Sequence, residues 1–131
     1  MAITAEIAKE FRFEAAHYLP NVPESHQCHQ IHGHSYRVIL RLIGKISDEH
    51  GWVMDLGELS LKFAPLLKVL DHALLNNIKG LENPTGENVA VWILENLGKQ
   101  LAELSSVTVE ATNRIAVTVR REDVFFKESS A

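Results

Sequence analysis

The sequence predicts an α+β domain, a four-stranded antiparallel sheet with two helices on one face. Three observations predict it. Near both ends of the chain apolar and polar residues alternate, the period of a half-buried strand. Between those stretches lie two segments whose apolar residues return every three or four positions, as on an amphipathic helix. The resulting order is β-β-α-α-β-β, without an internal repeat or low-complexity linker, and strands grouped in this way pair as hairpins with helices packed on one face.

From Ile3 to His17, strand alternation sends Phe11, Phe13, Ala15 and His17 to one side. Residues 18–31 contain two prolines, Asn21 and Ser25 and read as a loop, long enough to suggest a function. His34 to Gly44 is rich in β-branched and aromatic residues and reads as the second strand. A turn around Gly51 follows over residues 47–54. Leu56, Leu59, Phe63, Leu66, Leu67 and Leu70 form the first helical stripe, which Pro65 should kink or make less regular. After a loop over residues 76–84, Thr85 can cap a second helix, with Val89, Trp92, Ile93, Leu97, Leu101 and Leu104 as its buried stripe. Val107–Glu110 and Ile115–Arg120 alternate again, with Thr112-Asn113 as a hairpin turn. The last eleven residues include Phe125 and Phe126, so this tail should pack onto the domain.

Composition narrows the function. A chain of 131 residues is one domain, here 1–131. A formal charge of -4 argues against a nucleic-acid partner, which calls for a basic face, yet leaves room for a small anionic substrate in a locally positive pocket. No run approaches the ~20 apolar residues of a membrane helix. The N-terminus lacks a signal-peptide pattern, and the single cysteine, Cys28, forbids an intrachain disulfide. A reducing cytoplasm is the simplest compartment. The open edges of a small sheet hint at oligomerisation.

Histidine is the anomaly. His26, His29, His32 and His34 fall within nine residues. His32-Gly33-His34 puts two imidazoles on one face of a strand, and an antiparallel partner brings His17 close. Three neutral imidazoles with one open position are the donor set of catalytic zinc, and Gly33 leaves room for a substrate to approach. Two solvated loop-end histidines are the plainer reading of the same motif. Cys28, four residues before His32, would favour its thiolate form beside a metal and could act as base or nucleophile. It could equally be an inert buried thiol, or a fourth ligand that makes the metal structural. Asp71-His72 directly after the first helix fits a proton relay or a histidine facing the helix C-terminus. Glu110, on sequence alone, is a solvent-facing strand carboxylate.

Taken together, Phe13-Glu14-Ala15-Ala16-His17, Cys28-x3-His32-Gly33-His34, Gly51-Trp52-Val53-Met54-Asp55, Leu70-Asp71-His72, Leu75-Asn76, Asn83-Pro84-Thr85 with Glu87, and Val109-Glu110 resemble the 6-carboxytetrahydropterin and 6-pyruvoyltetrahydropterin synthases, over about residues 5–120. The resemblance implies the tunnelling fold, a homohexamer of two stacked trimers with active sites between subunits. It implies His17, His32 and His34 as zinc ligands and Cys28 as the catalytic proton acceptor. Asp71 and His72 would be its relay partners, from an adjacent subunit. Glu110 would anchor the amino-pyrimidine edge of a pterin, and Thr85 would line the pterin pocket.

The implied enzyme is a carbon–carbon and carbon–oxygen lyase acting on 7,8-dihydroneopterin triphosphate, making 6-carboxytetrahydropterin, acetaldehyde and triphosphate for queuosine biosynthesis. The alternatives are a 6-pyruvoyl product with the side chain retained, and a non-catalytic zinc or pterin-binding module. The three-residue gap between Cys28 and His32 resembles the bacterial carboxy-forming enzymes, and Cys28 itself argues against a folate-pathway branch that carries glutamate there. Ala111 and Gly86 depart from the family pattern, where Thr or Ser is usual, and leave the pocket wall and one pterin contact open.

Overall fold

The computed structural model describes residues 2–112 and 114–129, with side chains through Phe125. Two long strands, β1 (Thr4–His17) and β2 (His32–Lys45), form an antiparallel ribbon whose register runs from Thr4 opposite Lys45 to His17 opposite His32. β4 (Leu104–Glu110) continues the sheet beside β2, and β5 (Ala116–Arg120) closes it as a hairpin with β4. Helices α1 (Leu56–Leu70), α2 (Gly86–Gly98) and α3 (Arg121–Ser129) complete the fold.

Four strands and two helices were the expectation; the sheet has five strands and the described chain three helices. The extra strand, β3 (Ala73–Leu74), pairs parallel with Ala15 and Ala16, so the sheet is mixed, in the order β3-β1-β2-β4-β5. A two-residue strand has no period to detect. It exists because the chain leaving α1 is held against β1: the Glu14 N–H donates to Asp71 Oδ1 at 2.9 Å, and the His72 N–H donates to the Glu14 carbonyl. The tail does pack, as α3. Arg121 donates to the carbonyls of Gly98, Leu101 and Leu104, and its guanidinium lies over the Phe125 ring. The side chain of Phe126 lies outside the described residues, as does Asn113 of the hairpin turn.

The helix caps follow the sequence. Asp55 accepts from the Gly57 N–H at the start of α1, and Thr85 Oγ1 accepts from the Asn88 N–H at the start of α2. α1 runs through Pro65 to Leu70, although proline offers no N–H to the carbonyl four residues back. Leu59, Phe63, Val89, Ile93, Leu94 and Leu97 meet Phe13, Tyr36, Val38, Leu40, Leu42, Val107 and Val109 in one buried core. Pairing and alternation then decide which side chains share a face. Phe13, Ala15 and His17 with Tyr36, His34 and His32 point to the helix side, whereas Arg12, Glu14, Ser35, Arg37 and Glu110 point to the helix-free side.

Candidate active site

At the end of the β1–β2 ribbon, His17, His32 and His34 offer ring nitrogens that lie within 4.8 Å of one another. His17 is buried and the other two are half-buried. Two of the rings are oriented by carbonyls: His17 Nδ1 donates to Pro84 O at 2.8 Å, and His32 Nδ1 donates to Gln30 O at 2.7 Å. Each bond fixes a tautomer with a bare Nε2, and those two Nε2 atoms face each other at 3.0 Å. Two lone pairs so placed repel unless a cation lies between them. His34 Nδ1 is buried without a hydrogen-bond partner among the described residues.

Nitrogens on one tetrahedral zinc stand about 3.3 Å apart, so the geometry fits a metal bound by three imidazoles. The electrostatics agree. Burial, followed by repulsion from the neighbouring rings, pushes the His17 and His34 imidazoles below their usual range and favours the neutral form a metal needs. Burial also pushes the Tyr36 phenol up, keeping it protonated at 3.3 Å from His17 Nδ1.

Cys28, half-buried, lies in the loop between the ribbon strands, within a 3-10 turn spanning Gln27–His29. Its carbonyl accepts from the Leu19 N–H, and its N–H donates to His26 Nδ1. Asn76 clamps the start of the same loop by accepting from the Tyr18 N–H and donating to the Tyr18 carbonyl. Cys28 lines a cleft of about 290 Å³ with His17, His32, His34, Thr85 and Gly86. Ala111 forms part of the wall, so both departures from the family pattern lie in this cleft.

The other candidates lie elsewhere. Asp71 Oδ2 is 3.0 Å from His72 Nδ1, which sets the tautomer of His72 and leaves its Nε2 outward. The Glu14 N–H first and His72 second hold the Asp71 carboxyl below the usual carboxylate range. His72 adopts a left-handed backbone (φ 59) and lines a depression with Glu14, Gly33, Ser35 and Thr112. Gly33 lines this depression, which His34 also borders, so the space it leaves adjoins one of the three histidines. Glu110 is on the helix-free face, with Arg37 Nη1 at 3.5 Å. The fold thus divides the candidates: His17, His32, His34, Cys28 and Thr85 line the cleft, His72 lines the depression that His34 also borders, and Asp71 and Glu110 line neither.

Comparison with known proteins places this geometry. Residues 6–122 match the family model of 6-pyruvoyl tetrahydropterin synthase. The chain belongs to that family. It is 44% identical over 96 residues to a 6-carboxy-5,6,7,8-tetrahydropterin synthase of Synechocystis, covering 70% of this chain and 73% of that protein. It is 35% identical over 97 residues to the dihydroneopterin monophosphate aldolase of Pyrococcus furiosus, covering 74% and 78%. The 6-pyruvoyl tetrahydropterin synthase of Caenorhabditis elegans superposes with a TM-score of 0.83 at 25% identity, over 90% of this chain and 96% of that one.

Sequence reasoning had not assigned the carbonyls of Pro84 and Gln30 or the Asn76 clamp. Asn83-Pro84-Thr85 and Leu75-Asn76 were motifs without a mechanical role. Backbone acceptors leave no side-chain signal at all.

Proposed function

We propose that this chain is a zinc-dependent 6-carboxy-5,6,7,8-tetrahydropterin synthase, converting 7,8-dihydroneopterin triphosphate and water to 6-carboxytetrahydropterin, acetaldehyde and triphosphate. The observation that carries the reading is the pair of bare Nε2 atoms facing each other beside a half-buried cysteine. The 44% identity to a protein of that activity selects the carboxy product over the pyruvoyl one.

Zinc on the three histidines would supply Lewis acidity toward the side-chain hydroxyls of the substrate. The remaining work falls to the chain. The carbonyls of Pro84 and Gln30 hold two imidazoles in the ligating tautomer. Cys28, as thiolate, takes a proton from the substrate side chain, and His72 Nε2 exchanges protons at the oxygen of that side chain. Asp71 keeps the His72 Nδ1 proton in place. Glu110 accepts two N–H donors from the amino-pyrimidine edge, a bidentate arrangement suited to a carboxylate. Thr85 lines the pocket at the N-terminus of α2.

Cys28 lines the cleft and His72 the depression beside it, with His34 bordering both, and this separation supports an active site completed by a second copy. A homohexamer built as a dimer of trimers would bring the two surfaces together. β1 beyond its contact with β3, and β5, offer the open edges for such pairing. We place the enzyme in the cytoplasm, on the route to queuosine. Among the described residues no helix is long and apolar enough to cross a membrane.

The test is product analysis. The purified protein incubated with 7,8-dihydroneopterin triphosphate should release acetaldehyde, triphosphate and 6-carboxytetrahydropterin. Triphosphate with a 6-pyruvoyl pterin would move the assignment to the pyruvoyl branch, and no turnover would leave a binding module.

A further inference from the structure

The helix-free face carries a row of charges that the proposed reaction uses only at its end. Arg12 stands opposite Arg37 across β1 and β2, and Arg37 stands opposite Glu110 across β2 and β4. Two guanidinium groups directly opposite each other repel. Glu10 lies between them and divides its carboxylate, with Oε2 on Arg12 Nε at 2.9 Å and Oε1 on Arg37 Nε. Both oxygens of Glu10 are therefore engaged and Arg37 is held by its inner nitrogen. Its Nη1 reaches Glu110 Oε2 at the long distance of 3.5 Å, and its Nη2 makes no hydrogen bond among the described residues. Glu110 Oε1 is likewise unengaged there. The pair thus presents, side by side, a charged N–H donor, a weakly occupied oxygen and an open oxygen.

The edge of a 2-amino-4-oxopyrimidine carries the complement in the same order: the O4 acceptor, the N3–H donor and the 2-amino donor. We propose that Arg37 is a specificity-determining residue that donates to O4 of the pterin while Glu110 accepts from N3–H and the 2-amino group. This rests on the reading of Glu110 as the pterin anchor. It adds a reason for Arg37 to be anchored by Glu10: the guanidinium stays beside Glu110 without saturating it. A 4-amino pteridine would turn a donor toward Arg37 and an unprotonated N3 toward the carboxylate, so the pair should reject it. Sites built to hydrogen-bond one polar pattern discriminate strongly against its inverse.

The experiment compares two unreactive probes, 2-amino-4-oxopteridine and 2,4-diaminopteridine, by fluorescence titration of the metal-loaded full-length protein. Wild type should prefer the 4-oxo probe, and Arg37→Met should lower that preference by about tenfold or more, the loss of a charged hydrogen bond. Arg37→Lys should fall between, since a cation remains without the planar fork. A ratio of affinities is not moved by a general loss of stability, so a purely structural role for Arg37 predicts no change. An unchanged ratio in Arg37→Met, while Glu110→Gln loses affinity for both probes, overturns the Arg37 proposal alone. Full affinity in Glu110→Gln, or no binding of either probe by wild type, overturns the anchor reading and the proposal with it.

Discussion

The histidine cleft and the helix-free face differ in how much of their geometry one chain determines. In the cleft, His17 is buried, two rings are pinned by backbone carbonyls, and three ring nitrogens converge within 4.8 Å. On the opposite face, the His72 side chain is 79% exposed and among the described residues pairs only with Asp71, and Glu110 holds Arg37 loosely. The first arrangement is finished by the fold. The second is oriented but open, with acceptors and a proton-carrying imidazole awaiting something to act on. Donor atoms that share one metal must converge on one point, and here a single chain brings three ring nitrogens together. Residues that act on a substrate can be supplied by a neighbour, provided each is rigid in its own chain.

The largest expected effect tests the cleft. His32→Ala removes one imidazole and frees the Nε2 of His17, so zinc content should fall from about one per subunit to near none and turnover should vanish. Elemental analysis of the purified variant decides it. A variant that keeps a full complement of zinc would remove these histidines as the ligand set.

The next effect tests whether the two surfaces work together. Cys28→Ala should keep its zinc and lose at least the ~100-fold of rate that a general base contributes. Metal loss would instead make Cys28 a ligand. His72→Ala should be inactive with normal metal content. If one site draws Cys28 and His72 from different copies, mixing the two inactive proteins through unfolding and reassembly should restore roughly a quarter of the sites, because each position is filled at random in a symmetric oligomer. A site contained within one chain would regain nothing, and light scattering showing an active monomer would contradict the shared site directly.

Legibility in the sequence follows the same division. His32, His34 and the strand holding them are readable from a period of two, and His17 follows once the strands pair as a hairpin. The same period places Gly33 on the other face of β2 from His32 and His34, although the depression it lines is bordered by His34 as well. β3 is two residues long and depends on Asp71 reaching Glu14 across the fold. α3 offers few apolar positions, with Val124 and Phe125 meeting the core. The pairing of Arg37 with Glu110 needs the β2–β4 register, which joins residues 73 positions apart. Local periods reveal elements, while contacts between distant segments reveal partnerships.

Acid should separate the two regions by pH. The His17 and His34 imidazoles are pushed down by burial, so in the metal-free protein they resist protons that the unfolded chain takes up near its ordinary value of about 6.5. Their contribution to stability is intact above that value and is lost progressively as the pH falls below it. The Asp71 carboxyl is also held low, but its window opens only below about 4, where unfolded aspartate protonates. Denaturant titrations of the metal-free protein between pH 7 and 5.5 should therefore show a falling stability that flattens in a His17→Phe, His34→Phe double variant and persists in Asp71→Asn. Equal slopes in all three proteins would mean that burial at the cleft does not control these imidazoles.

The smallest effect concerns Thr85, where the cleft meets the helix that forms one of its walls. Its Oγ1 accepts from the Asn88 N–H at 3.1 Å, and the preceding carbonyl, of Pro84, orients His17. Thr85→Ala removes the cap and should cost about 1 kcal/mol of stability. Thr85→Ser keeps the hydroxyl and should cost a fraction of that. The cap also holds the backbone turn that presents Pro84, so the alanine variant should bind zinc a few-fold more weakly, with serine restoring most of the affinity. A competition titration with a chromophoric chelator measures this apart from unfolding. If Thr85→Ala loses stability but keeps wild-type zinc affinity, Pro84 is positioned by the fold at large and the cap serves the helix alone. If affinity falls and serine restores it, a single hydroxyl couples the start of α2 to the orientation of a metal ligand. The cleft would then be set by α2 as well as by the β1–β2 ribbon.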